Sequence, residues 1–326
     1  MQSLYYCISY NLNPWENLAL EELLFDTVPQ GAGILYLWQN QRTVVIGRNQ
    51  NAWAECNVNR LLADGGFLAR RLSGGGCVYH DDQNLNFTFL VNKADYSVEK
   101  QASVILEAVR SFGLDAEATG RNDLVIDGRK FSGNAFYERA GKCCHHGTIL
   151  IHTDPDAMSR YLNVSLEKLE SKGVSSVKSR VVNLKDLNDA VTVDSMKTQM
   201  ITAAEKIYGL SAEPLPEGWI NREEIMRRMA FFSSRDWLYG RKIPFTLERT
   251  RRFEWGTVNV QVLVEKGCIK AAEIYSDALD EEFIRQAAGA LSGQRFEALS
   301  EAGKRLPELN ENRRRMLEDI LGMLQS

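Results

Sequence analysis

Hydrophobic residues recur along this chain with two periods, and the switches between them lay out its elements. From Asn13 to Val28 the apolar positions Trp15, Leu18, Ala19, Leu23 and Leu24 fall at helical spacing. Asn13 before Pro14, with Glu16 behind, supplies a helix-start signature with capping-box character. ILYLW (34–38) and TVVIG (43–47) read as two strands joined by the polar turn QNQR. In NLNFTFLV, Leu85, Phe87, Phe89 and Val91 alternate with Asn84, Asn86 and Thr88, the two-residue period of a strand with one apolar face. Ser97–Phe112 predicts a helix capped by Ser97 and ended by Gly113. Its expected buried stripe is Val98, Ala102, Ile105, Leu106, Val109 and Phe112.

Downstream, HGTILI (146–151) predicts a buried strand, and Asp154–Leu162 and Ser165–Lys172 predict short helices. Thr192–Tyr208 predicts a longer helix closed by Gly209, and Asn221 opens another containing Ile225, Met226 and Met229. Composition then shifts. Residues 235–252 gather Arg235, Arg241, Lys242, Arg249, Arg251 and Arg252 around Pro244, which reads as a solvated linker face. A domain junction is placed near Ile243–Thr250, dividing residues 1–245 from 246–326. Beyond it, TVNVQVLV (257–264), the turn Glu265-Lys266-Gly267 and CIKAAEIYS (268–276) form a hairpin. Helices at Asp280–Leu291 and Leu309–Leu324 complete a small α+β domain.

Composition narrows the functional classes. A length of 326 residues suits one large domain or a large and a small one. The net charge of −4 carries no basic signature for nucleic acid. No apolar run is long enough to span a bilayer. The first residues, MQSLYYCISYNLNPWENL, lack a basic segment followed by an apolar core, so no secretory leader is expected and the expected compartment is the cytoplasm. The six cysteines form no CxxC pair and no disulfide framework. The CCHH run at Cys143–His146 looks like a metal site, but it leads into an apolar strand, where neighbours face opposite ways. Only two of the four could share one ion, so a zinc site is not expected.

Two stretches carry candidate chemistry. The first is RRLSGGGCVYH, Arg70–His80. Three successive glycines bring no side chain to a core, and their backbone freedom costs entropy unless something uses it. Such a loop, beside two arginines and a serine, suits the wrapping of a phosphate before a strand at Cys77, Val78 and Tyr79. It is neither a Walker loop nor a GxGxxG turn, and a flexible hairpin end with charged flanks accounts for it equally well. The second is GRNDLVIDGRKFSGNA (120–135). Asp127-Gly128 between apolar runs signals a two-residue hairpin turn. That turn opposes Ile126 to Arg129, Val125 to Lys130, Leu124 to Phe131 and Asp123 to Ser132. Asp123, Val125, Lys130 and Ser132 then share one face, and Leu124, Ile126, Arg129 and Phe131 share the more apolar one, expected to face the core. A lysine and a carboxylate beside Gly133 suit phosphate and Mg²⁺; a surface hairpin with a solvated ion pair also fits.

Taken together these stretches resemble the lipoate–protein ligase family. The resemblance rests on Arg70–Asp81, Gly120–Val125, Arg129–Gly133 and His145–Thr148, with TVVIGRNQN (43–51), KGVSSVKSRVVNL (172–184) and WGTVNVQVLVEKG (255–267) in support, and it spans essentially the whole chain. It implies an α+β fold: a mixed α/β catalytic domain like that of biotin ligases, its mixed sheet flanked by helices, plus a small C-terminal accessory domain. It implies two steps. Lipoate attacks the α-phosphate of ATP to give lipoyl-adenylate, and a lysine of an acceptor lipoyl domain then takes the lipoyl group. The implied acceptors are E2 subunits of 2-oxoacid dehydrogenases and the glycine cleavage H protein. By matched position, Arg71 and the backbone of Gly76, Cys77, Val78 and Tyr79 are expected to hold ATP. Lys130 is the expected catalytic residue, bridging phosphate and the lipoyl carbonyl, with Arg71 also near lipoate. Asp123 is expected to hold Mg²⁺, an assignment that rests on the hairpin geometry. No nucleic-acid or membrane partner is expected, and a monomer is.

The rival within the wider family is an octanoyl or lipoyl transferase that works without ATP through a cysteine in the GRND stretch. Residues 120–135 hold no cysteine, and Cys77 reads as a small buried residue. A biotin ligase is disfavoured because its GRGRxGRxW-type loop is absent, and a non-catalytic acyl-binding protein because Lys130 and the glycine loop are intact. One departure is Gln83, where the family commonly has glycine in the turn. Gln does not adopt positive φ freely, so a turn of another type, or a strained one, is expected.

Overall fold

The structure is a computed structural model that describes residues 1–120, 122–163, 180–240 and 243–325. The expected helix at Ser165–Lys172 lies outside the described residues. An eight-stranded sheet runs in the order 212–214, 3–8, 32–38, 84–92, 142–150, 129–139, 123–126, 117–119. Ser3–Ile8 pairs in parallel with both Ala212–Pro214 and Ala32–Trp38, and every later pairing is antiparallel, which makes the sheet mixed. A small second sheet orders Phe67–Arg70, Thr43–Ile46 and Val78–His80. A third is antiparallel: Leu247–Phe253, Gly256–Glu265 and Cys268–Ser276.

Contacts divide the chain into two compact units. One holds residues Met1–Val45, Glu55–Ala69 and Val78–Ser234; the other holds Ile46–Ala54, Arg70–Cys77 and Arg235–Ser326. The first has its core on one face of the large sheet, where Leu35, Leu37, Phe87, Phe89 and Phe131 meet Val104, Ile105, Met196 and Met200 of two helices. The second packs Val258, Val260, Val262, Ile269 and Ile274 against Phe283, Ile284 and Leu317. Each is an element with one apolar side buried against another.

Local signals set the helix ends. Asn13 caps Pro14–Thr27 by accepting from the Trp15 and Glu16 amides. Glu16 itself pairs with Arg222. Ser97 caps Val98–Arg110, Thr192 caps Val193–Tyr208, and Gly209 closes the latter in the left-handed region. Asn221 caps Arg222–Phe232.

Several expectations change. Ala32–Trp38 and Thr43–Ile46 do not pair, because both edges of the first are taken by Ser3–Ile8 and Asn84–Asn92. The polar face of Asn84–Asn92 is as buried as its apolar face: Asn84, Asn86 and Thr88 are all enclosed, and Thr88 donates to Glu21 of the first helix. Helix Val98–Arg110 buries Gln101, Val104, Ile105, Ala108 and Val109, while Val98 is exposed. Leu247–Phe253, expected as part of a linker, is an edge strand whose exposed residues include Arg249 and Arg251. Charge on an edge strand discourages pairing with another chain, which accounts for the basic run. Gln83 carries no positive φ; its amide donates to Asp81 Oδ1 at 3.0 Å, so the turn is closed by a side chain and unstrained.

Candidate active site

The hairpin Asp123–Ile126 and Arg129–Arg139 turns at Asp127 (φ 50°) and Gly128 (φ 73°), both left-handed, as a tight two-residue turn requires. Beyond the turn, Ile126 opposes Arg129 and Val125 opposes Lys130. A bulge then shifts the register, so Leu124 opposes Ser132 and Asp123 opposes Gly133, one residue on from the simple count. The face assignment survives in its apolar part: Leu124, Ile126 and Phe131 enter the core.

Asp123 and Lys130 meet on this hairpin despite the bulge. Lys130 Nζ lies 2.7 Å from Asp123 Oδ1, both partly exposed. Gly133 makes the room. A Cβ there would stand 2.7 Å from Lys130 Nζ and 2.8 Å from Cε, so the ammonium lies across a position that only glycine leaves open. Gly147 does the same beneath it, since a Cβ there would meet the Gly133 carbonyl and the Phe87 ring. Gly133 N–H donates to Thr148 Oγ1 at 3.3 Å, and the Lys130 carbonyl accepts from Val182 N–H at 3.0 Å. The lysine is thus fixed at its main chain and held by a carboxylate at its tip.

The glycine loop falls in the unit that contains the C-terminal residues, and that unit explains its composition. A Cβ on Gly74 would collide with the carbonyls of Ala278 and Leu279, and Gly75 sits at φ 88° with its N–H donating to Ala278 O at 3.0 Å. Arg71 turns its guanidinium on its own loop: Nε donates to Ser73 Oγ at 3.0 Å, and Nη2 donates to Gly74 O at 2.7 Å and Gly76 O at 2.8 Å. Arg70 is buried and donates to five carbonyls, those of Gly47, Arg48, Gln50, Trp237 and Leu238. Burial pulls its guanidinium down to about 10, so it stays a cation at neutral pH. Ser276 N–H to Asn49 O (2.9 Å) and Arg48 to Glu281 (3.2 Å) add to the same clasp.

Of the expected site residues, Asp123 and Lys130 meet on one hairpin, and Arg71 reaches Gly76 in one loop. Val78 and Tyr79 lie in the small sheet opposite Val45 and Val44. Gly133, Thr148 and Arg70 carry roles that residue type and spacing do not mark. The GRKFSG and HHGT motifs contained the first two, but only the cross-strand register shows what they do.

Residues 13–205 match the lipoyl protein ligase A/B catalytic domain, and residues 242–324 match the bacterial lipoate protein ligase C-terminus. The chain belongs to the lipoyl protein ligase A/B family. Lipoate-protein ligase A of Bdellovibrio bacteriovorus is 39% identical over 323 residues, 95% of each chain. Among lipoate ligase structures, Plasmodium falciparum LipL1 in complex with lipoate superposes with a TM-score of 0.86 at 29% identity, over 99% of this chain and 100% of that one. A lipoate-protein ligase A bound with ATP gives 0.64 at 25% identity, covering 74% and 99%. A bipartite ligase from Thermoplasma acidophilum, described with its E2 lipoyl domain, gives 0.64 at 27%, covering 75% and 98%.

Asp123 offers one carboxylate, an oxygen ligand of the kind Mg²⁺ takes. That ion is bound through one or two carboxylates, with phosphate oxygens and water filling the remaining positions. Among the described residues Asp123 is the carboxylate paired with Lys130.

Proposed function

We propose that this chain is an ATP-dependent lipoate–protein ligase that activates lipoate as lipoyl-adenylate and transfers the lipoyl group to a lysine of a lipoyl domain. The observation that carries this reading is the Lys130 ammonium, held at 2.7 Å by Asp123 across Gly133 in a chain of this family. A carboxylate is a weak nucleophile toward a polyanionic triphosphate, so the first step needs charge neutralised and both reactants aligned. Lys130 supplies a positive charge to the α-phosphate and the lipoyl carbonyl oxygen, stabilising the charge that develops in both steps. Pyrophosphate leaves in the first step. In the second, the acceptor amine attacks the mixed anhydride and AMP leaves.

The backbone of Gly76, Cys77, Val78 and Tyr79 receives the nucleotide, and Arg71 shapes the loop by binding its carbonyls. Mg²⁺, held by Asp123, supplies further neutralisation of the phosphates. The acceptors are lipoyl domains, of E2 type or of the glycine cleavage H protein. A cysteine-based acyl transfer has no nucleophile in residues 120–135.

The test is ATP–pyrophosphate exchange with lipoate, octanoate and biotin in parallel. Exchange is expected with lipoate and not with biotin, and Lys130→Ala should lose about 10²–10³ in rate, the usual loss of a transition-state contact. Wild-type exchange in that variant overturns the role of the lysine.

A further inference from the structure

The strand Lys142–Leu150 carries the Cys143–His146 run, and its alternation sends Cys144 and His146 to one face. The sequence allowed at most two of the four side chains to share an ion and offered no third ligand. The fold supplies one. Glu21, from helix Pro14–Thr27, reaches the same point, and one ligand atom each from Glu21, Cys144 and His146 lies within 4.8 Å of the others. All three residues are buried.

The surroundings resemble those of a metal site. Thr88 Oγ1 donates to Glu21 Oε1 at 2.7 Å, and Trp38 Nε1 donates to Thr88 Oγ1 at 3.0 Å, so the carboxylate is oriented from behind. His146 Nδ1 stands 2.8 Å from the same Glu21 oxygen. The Tyr137 hydroxyl is buried and faces the Cys144 thiol.

We propose that Glu21, Cys144 and His146 form a structural binding site for one Zn²⁺, with the Tyr137 hydroxyl taking the fourth position. A thiolate, a carboxylate and a neutral imidazole around a dication sum to zero charge, the arrangement that a closed, low-dielectric interior favours. Sulfur excludes Mg²⁺ and Ca²⁺, which take oxygen ligands, and the mixed S, N, O set suits zinc. Tetrahedral zinc places neighbouring ligand atoms about 3.3–3.6 Å apart, so the cluster needs small shifts, with Glu21 and His146 spreading from their 2.8 Å contact to admit the ion. Uptake forms a Zn–S bond and releases the Cys144 thiol proton to water; the imidazole binds through Nδ1 and carries its proton on Nε2. The site adds a brace between the first helix and the sheet.

The competing account is a metal-free hydrogen-bonded network in which Glu21 is satisfied by Thr88 and His146 and Cys144 is a bystander. The experiment uses the full-length protein without a histidine tag. Metal content is measured by mass spectrometry as isolated. Chelator-treated protein is then titrated with Zn²⁺ and, separately, with Co²⁺. Expected are one zinc per chain and a thiolate-to-cobalt charge-transfer band. Cys144→Ala should weaken zinc binding roughly 100-fold or more, at or beyond the loss typical of an outer-shell change. Cys143→Ala, on the opposite face of the strand, should bind as the wild type does. Cys144→Ser keeps the side-chain shape and should also abolish the cobalt–sulfur band, which guards against a misfolded alanine variant. Absence of stoichiometric zinc and of the cobalt band in the wild-type protein overturns the site, as does undiminished affinity in both Cys144 variants.

Discussion

Arg70 and Trp237 hold each other by reciprocal hydrogen bonds: Arg70 Nε donates to the Trp237 carbonyl at 2.7 Å, and Trp237 Nε1 donates to the Arg70 carbonyl at 2.8 Å. The residues are 167 positions apart in the chain. With its bonds to Gly47, Arg48, Gln50 and Leu238, the buried guanidinium organises the start of the glycine loop without a carboxylate among those partners. Only a planar fork of five donors can serve so many carbonyls at once. Arg70→Lys is therefore expected to cost about 2–4 kcal/mol, because several buried carbonyls lose their donors. Denaturant unfolding of the intact chain measures it, and a change within error of zero refutes the claim.

Gly133→Ala separates positioning from folding. The new Cβ meets the far end of a flexible lysine, which can move, and the backbone there is open to any residue. Stability should change by less than about 1 kcal/mol. Pyrophosphate exchange should fall roughly 10–100-fold as the ammonium is displaced. Equal activity in variant and wild type would show that the ammonium acts from another position.

Asp123→Asn keeps the shape of the side chain and removes its charge. If the carboxylate holds the ion, the Mg²⁺ concentration for half-maximal exchange should rise about 10-fold, in the range seen when a metal-binding contact is weakened. A fall in kcat with an unchanged Mg²⁺ requirement would assign Asp123 to positioning Lys130 alone.

His145 sets a pH response. It is enclosed between the side-chain amides of Gln101 at 3.0 Å and Asn134 at 2.8 Å, and burial, aided by neighbouring His146, pushes its pKa from 6.5 down to about 3. Above pH 6.5 both folded and unfolded chains carry it neutral. Below that the unfolded chain takes up a proton that the folded chain refuses, so this residue's contribution falls as pH falls from about 6.5 to about 3. The slope is at most about 1.4 kcal/mol per pH unit. His145→Gln should flatten the acid side of the stability profile by that amount, read from denaturation midpoints between pH 7 and 4. An unchanged profile would mean that His145 does not titrate in this way.

Much was legible in the residues because much of the structure is local. A cap or a tight turn depends on neighbours a few positions away, so Asn13, Ser97, Thr192 and Asp127-Gly128 all announced their elements. The pairing of Lys130 with Asp123 was foreseeable from the hairpin, although a bulge that no residue type signals set the final register. Ser3–Ile8, whose pattern lacks clean alternation, and Leu247–Phe253, masked by its charges, are strands that the sequence pattern does not show.

The sequence by itself determined the periods, caps and turns, and the motifs that place the chain in its family. Tertiary structure alone decided why Gly74 must be glycine, since the reason is the backbone at Ala278 and Leu279, and why Gly75 takes a left-handed φ of 88°. It also decided that Arg70 serves Trp237 and Leu238, and that Glu21 joins Cys144 and His146. Periodicity reports which way a side chain faces. It cannot report what the closing of a sheet or the packing of a distant segment brings to meet it.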